Sequence, residues 1–159
     1  MYAIQIIDIG QPLQGREVPM PEPGPGEIRV RVQAAGICHS DAHYRDGTGH
    51  VAFRPMTPGH EIAGVVDQLG AGVDGVRVGH PVALHYLLTC GHCEYCRSGL
   101  EQFCTSVRML GKDAPGGYAE YVVAQARNAI PVSDGVSMAE AAIMMCSSAT
   151  ALHALHQAR

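Results

Sequence analysis

Apolar residues occur along the chain in short bursts of strand length, separated by turn formers. Four Val- and Ile-rich runs stand out, at residues 3–7, 27–32, 62–66 and 118–123. In the second, Glu27, Arg29 and Arg31 alternate with Ile28, Val30 and Val32, the period of a strand with one wet face and one buried face. The segment 21–26 reads Pro-Glu-Pro-Gly-Pro-Gly, a loop by composition. From Ser137 onward the texture changes. Ser137 and Glu140 have capping-box spacing, and an Ala-, Met- and Leu-rich stretch continues to Arg159, which predicts helix. The expected fold is mainly β with helices: an antiparallel barrel or sandwich over residues 1–136, then a helical segment over 137–159. There is no internal repeat.

Composition narrows the class. A chain of 159 residues folds as one domain and buries roughly 70 % of the surface it would expose unfolded. Apolar residues make up 47 % and charged residues 16 %, far from the regime of disorder. The net charge is −4, Lys112 is the single lysine and there is no basic block, so nucleic-acid binding is not expected. No apolar run reaches the length of about 18 residues that crosses a bilayer. The opening Met1-Tyr2-Ala3-Ile4-Gln5 lacks the pattern of a signal peptide. The expectation is a cytoplasmic protein with no membrane contact and reduced thiols.

The six cysteines then become a question of metal chemistry. Cys90, Cys93, Cys96 and Cys104 have the spacing C-x2-C-x2-C-x7-C, with Gly91 and Gly99 available for sharp turns. Four thiolates make a closed tetrahedral zinc site with no open position, so the role is structural. A bacterial ferredoxin begins the same way, but its next gap is three residues followed by proline, against seven here. Disulfides are the other alternative, and would go with an extracellular binding domain.

Cys38, His60 and Cys146 are the right kinds of residue for a second zinc that keeps one position free for water or substrate. Singly, each also reads as a packing cysteine or a hydrogen-bonded histidine. Their surroundings are polar: Cys38-His39-Ser40-Asp41-Ala42-His43 and Gly59-His60-Glu61-Ile62-Ala63-Gly64. The second run is not the metalloprotease motif, because Gly64 stands where a second histidine is needed.

These motifs, taken in order from about Ile4 to Arg159, resemble the zinc-containing medium-chain alcohol dehydrogenases. The resemblance implies a GroES-like β-barrel with a four-cysteine zinc lobe at about 86–112 and a C-terminal helix. It implies two zinc ions: a catalytic one on Cys38, His60 and Cys146, and a structural one on Cys90, Cys93, Cys96 and Cys104. Asp41 matches the carboxylate that orients the zinc-bound histidine, Glu61 the buried carboxylate beside that zinc, and Ser40 with His43 a proton relay. His39 and Thr150 match positions facing NAD or NADP, at its pyrophosphate and nicotinamide. Tyr86 matches a wall of the substrate pocket. Cys146 favours the alcohol dehydrogenase branch over polyol dehydrogenases, many of which use glutamate there. The implied reaction passes a hydride from a small alcohol to the nicotinamide, or back from the cofactor to an aldehyde or ketone.

The family's nucleotide-binding domain carries a glycine fingerprint between a strand and a helix. Gly70-Ala71-Gly72-Val73-Asp74-Gly75 matches it literally, but residues 76–84 contain a proline and β-branched residues with no helical period. These glycines are expected in a turn between strands. The Rossmann domain is therefore expected outside this sequence, supplied in cis or in trans, with 137–159 leading toward it. The chain alone is expected to be inactive and the complete enzyme a homo-oligomer. Leu152 and Leu155 would be exposed and favour self-association. A non-catalytic zinc-binding or interaction module of the same fold is the alternative.

Overall fold

The computed structural model describes residues 1–158. The strands are β1 (Tyr2–Gln5), β2 (Gln14–Glu17), β3 (Glu27–Gly36), β4 (Glu61–Leu69), β5 (Pro81–Leu84), β6 (Leu87–Leu88), β7 (Arg108–Met109), β8 (Tyr121–Gln125) and β9 (Ala129–Pro131). Helix α1 (His39–Asp46) comes after β3, α2 (Glu94–Arg97) lies between β6 and β7, and α3 (Met138–Ile143) runs through a π-turn (Met144–Ser148) into α4 (Ala149–Gln157). The main sheet has the order β8-β3-β4-β5-β9, with every neighbouring pair antiparallel. The β1–β2 hairpin is joined to the rest by Ile4 N donating to Tyr118 O at 2.7 Å and Ile6 N to Met56 O at 2.8 Å.

Alternation along the strands explains the layering. In β3, Ile28 and Val30 are fully buried and pack with Ile62, Val66, Val82, Leu84, Leu110 and Val122. Arg29 points the other way, and its face is less wet than the sequence suggests: the guanidinium pairs with Asp67 at 2.6 Å and Glu22 at 3.1 Å and lies over the Tyr121 ring. Residues one step out of phase in β4 and β5 are Ala63 and Ala83. They pack against Ala141 and Ala142 of α3, so small side chains let the helix lie close on the outer face of the sheet. The capping box that starts α3 is present, with Glu140 N donating to Ser137 Oγ at 3.3 Å and Ser137 N to the Glu140 carboxylate at 2.9 Å.

Two expectations need correction, and one helix was not expected. The run at 118–123 enters its strand only at Tyr121, because Gly116 and Gly117 lie against the backbone of Pro58 and Gly59 and the side chain of Ile62, too close for side chains of their own, and turn Tyr118 inward. Residues 39–46 form a helix, signalled by Asp41 in its first turn and Gly47 at its left-handed end. The span Met138–Gln157 is 20 residues long and contains an 18-residue stretch apolar enough, by length and composition, to cross a membrane. Glu140, Ser147, Ser148, Thr150 and His153 interrupt its apolar residues. One end of this span is packed on the sheet through Ala141 and Ala142. The glycines at 70–75 lie in the connection from β4 to β5, with no helix behind them.

Candidate metal centres

Cys38 is the residue before α1, His60 is the residue before β4, Glu61 opens that strand, and Cys146 lies in the π-turn. One ligand atom from each of these four comes within 4.8 Å of the other three. A π-turn is a wider loop of helix and occurs often at functional sites; here it presents the third candidate ligand.

The local sequence explains how the four meet. Gly59 has a φ of +91°, and the Tyr118 ring fills the place where its side chain would be, so the bend that delivers His60 requires glycine. Gly36 leaves room for the Glu61 carboxylate, which lies where a Cβ would stand. Glu61 is 3 % exposed, so it is a buried carboxylate rather than a surface one.

Asp41 ties the pieces together. One carboxylate oxygen accepts from Cys38 N at 3.0 Å and from the Tyr118 hydroxyl at 3.0 Å. The other accepts from Gly59 N at 3.2 Å and lies 3.6 Å from His60 Nδ1. That Nδ1 is buried without a hydrogen-bond partner among the described residues, and with it turned to Asp41, Nε2 is the ring atom left for the cluster.

Burial alone would raise the Asp41 carboxyl, but the neighbouring His60 ring and the bonds from Cys38 N and the Tyr118 hydroxyl hold it below its ordinary value. Burial likewise pulls His60 down, and Asp41 and Cys38 more than reverse that. Cys38 is half-buried, yet Ser40 and His60 bring its thiol below the usual value, whereas burial and the neighbouring Cys38 push Cys146 up to about 11. The pair therefore ionises in sequence, and a cation is what would let both sulfurs lose their protons. Two sulfurs, an imidazole and a carboxylate suit zinc by donor chemistry.

The remaining predicted residues divide by position. Ser40 is half-buried, its hydroxyl 3.7 Å from the Cys38 sulfur. His39 and His43 have ring centres 4.7 Å apart, edge to face. His39 and His43 are both exposed. Thr150 is exposed in the first turn of α4. The Tyr86 ring lies 5.3 Å from that of His60. Tyr118 was not among the predicted residues. Its hydroxyl also donates to Gly36 O at 3.2 Å, and burial beside Asp41 pushes it well above a tyrosine's ordinary value. Nothing local in the sequence marks it, since its partners lie some eighty residues upstream.

The second cluster is local. Cys90, Cys93, Cys96 and Cys104 bring their sulfurs within 4.8 Å of one another in the lobe between β6 and β7. Cys90 N donates to the Cys104 sulfur at 3.3 Å, and Cys93 N to the Cys90 sulfur at 3.4 Å. Backbone N–H groups of His92 and Cys93 lower Cys90 to about 6, while burial and its sulfur neighbours raise Cys96 to about 11. Four crowded thiols of such unequal acidity fit a closed zinc site, where the metal takes the place of the protons.

An antiparallel sheet domain carrying a mixed cluster of sulfur, nitrogen and carboxylate donors and a separate four-sulfur lobe defines the class as a domain with two candidate metal sites. Residues 24–134 match the alcohol dehydrogenase GroES-like domain, and the chain belongs to that family. It is 40 % identical over 157 residues to an alcohol dehydrogenase of Geobacillus stearothermophilus, covering 98 % of this chain and 47 % of that protein. It superposes with a TM-score of 0.93 and 36 % identity on a thermostable alcohol dehydrogenase from Pyrobaculum aerophilum solved with cobalt and zinc, over 99 % of this chain and 48 % of that one. A second match is an Escherichia coli CFT073 alcohol dehydrogenase complexed with NADH, with a TM-score of 0.80 and 39 % identity over 91 % of this chain and 42 % of that one. The chain spans about half the length of the relatives it matches.

Proposed function

We propose that this chain is the metal-binding catalytic portion of a zinc-dependent alcohol dehydrogenase, with Cys38, His60 and Cys146 holding one zinc and Cys90, Cys93, Cys96 and Cys104 holding another. The observation that carries the reading is the convergence of Cys38, His60, Glu61 and Cys146, which come from three separate stretches of the sequence, to within 4.8 Å. Three protein ligands leave a tetrahedral ion one further position, and Glu61 lies beside it. Zinc so held supplies Lewis acidity, which favours loss of the proton from an alcohol hydroxyl.

The chain's own residues then divide the work. Asp41 orients His60 through Nδ1 and strengthens it as a ligand. Ser40, against Cys38, would accept the substrate proton while donating its own onward, through the cofactor ribose, to His43, which is one turn further along α1, exposed, and able to release it to solvent. Tyr86 forms a wall of the substrate site. His39 and Thr150 face a nicotinamide cofactor, NAD or NADP, in keeping with the NADH bound to the Escherichia coli relative. Residues 1–136 form the catalytic unit, and 137–159 lead toward a nucleotide-binding domain supplied in cis or in trans. The complete enzyme oxidises a small alcohol to an aldehyde or ketone in the cytoplasm and assembles as a homo-oligomer.

Elemental analysis of the purified chain tests the reading. About two zinc ions per chain are expected, falling to about one in Cys146→Ala, as separate open and closed sites require. A single zinc unaffected by that substitution would remove the open site from the proposal.

A further inference from the structure

Asn128 ends a short 3-10 turn (Ala126–Asn128) between β8 and β9 and is 4 % exposed. The β5–β9 ladder runs from Val82 opposite Pro131 to Leu84 opposite Ala129, and one more backbone bond extends it, His85 N donating to Asn128 O at 2.9 Å. At that point the partner strand ends. The Asn128 side chain takes over: Nδ2 donates to His85 O at 2.6 Å and to Leu87 O at 2.7 Å. On the other side, Leu110 N donates to Tyr86 O at 3.0 Å. Three consecutive carbonyls thus find donors on alternate sides, as in a strand with two neighbours.

The residue held between these bonds is Tyr86, whose ring faces that of His60. Only a primary amide offers two N–H donors from one short side chain without a charge. Aspartate at 128 would turn acceptors toward two carbonyls, and leucine would deprive both part-buried carbonyls of these donors.

We infer that Asn128 is a positioning residue, which fixes the backbone on both sides of Tyr86 and so aims its ring at the open metal site without touching that site. The inference rests on the metal-site proposal only in its second readout below.

The test uses Asn128→Leu and the milder Asn128→Ser in the full chain, with Co(II) alone as the metal probe. The first readout is hydrogen exchange at the His85 and Leu110 amides, the two that bracket Tyr86. Exchange roughly tenfold faster is expected in Asn128→Leu, with a smaller change in Asn128→Ser, which keeps one donor. The second is the paramagnetic shift that Co(II) imposes on the Tyr86 ring protons, identified by their loss in Tyr86→Leu. In variant protein that remains folded this shift should move toward its metal-free value, which general destabilisation would not bring about.

Unchanged exchange, or faster exchange with an unchanged Tyr86 shift, overturns the inference. If Asn128→Leu does not fold, Asn128→Ser is judged by the same two readouts. If the wild-type chain takes up no Co(II) at Cys38, His60 and Cys146, the metal-site proposal falls, and the exchange rates still decide whether Asn128 holds this backbone.

Discussion

The four-cysteine lobe takes its ligands from residues 90–104 and sets them on loops, one turn of helix and a 3-10 turn, neither helical element having a buried residue. The Cys38 cluster takes its members from the start of α1, the start of β4 and the π-turn, and His60 and Glu61 within it are buried. One group of ligands is assembled by short-range turns with little else to hold them. The other is assembled by the main sheet and the helices packed against it. A local site therefore leans on its metal for order, whereas a dispersed site has its order supplied by the fold.

The largest effect expected from this contrast is on chelation. Stripping metal from the chain should open the lobe to a protease at positions between 90 and 107 while the barrel remains resistant, because structural zinc contributes on the order of 10 kcal/mol to small sites of this kind. Limited proteolysis read by mass spectrometry checks it; equal resistance of the lobe with and without metal would erase the distinction.

Next in size is Asp41→Asn. Loss of the carboxylate beside His60 should weaken zinc at the open site by roughly 10–100-fold, with no change at the lobe. Competition with a chromophoric chelator separates the two affinities. The same carboxylate gives a pH dependence. Its folded pKa is held below the ordinary value of 3.8, so the stability it contributes is present above that value and is lost as the pH falls through the folded pKa. In the metal-free chain, the acid limb of a denaturation profile should be flatter in Asp41→Asn than in wild type.

The smallest effect lies away from both clusters. Ser137→Ala removes an exposed helix cap and should cost about 1 kcal/mol in urea denaturation, leaving zinc stoichiometry unchanged. A loss of zinc in that variant would mean that the helix start governs the placing of Cys146.

The lobe was legible in the sequence because its information is local: the spacing of Cys90, Cys93, Cys96 and Cys104 states which four sulfurs come together. The β texture and the Ser137 cap were legible for the same reason, since strand alternation and capping-box spacing are short-range patterns. The Cys38 cluster was reached through resemblance, because Cys38, His60 and Cys146 are each ambiguous alone and only the folded sheet brings them together. Tyr118 and Asn128 carry no such local mark. A tyrosine that donates to a carboxylate 77 positions away and an asparagine that stands in for a strand 41 to 43 positions away depend on tertiary pairing, which no window of sequence displays.

The π-turn has a mechanical consequence for the helix beyond it. Each α-helical residue advances the azimuth by about 100°, so a one-residue deletion there would swing α4 through roughly that angle. Leu152 and Leu155, 57 % and 65 % exposed, would turn with it, away from the heading they now hold relative to Cys146. Whatever surface that heading serves is thus clocked to a sulfur two turns upstream, like a crank keyed to its shaft.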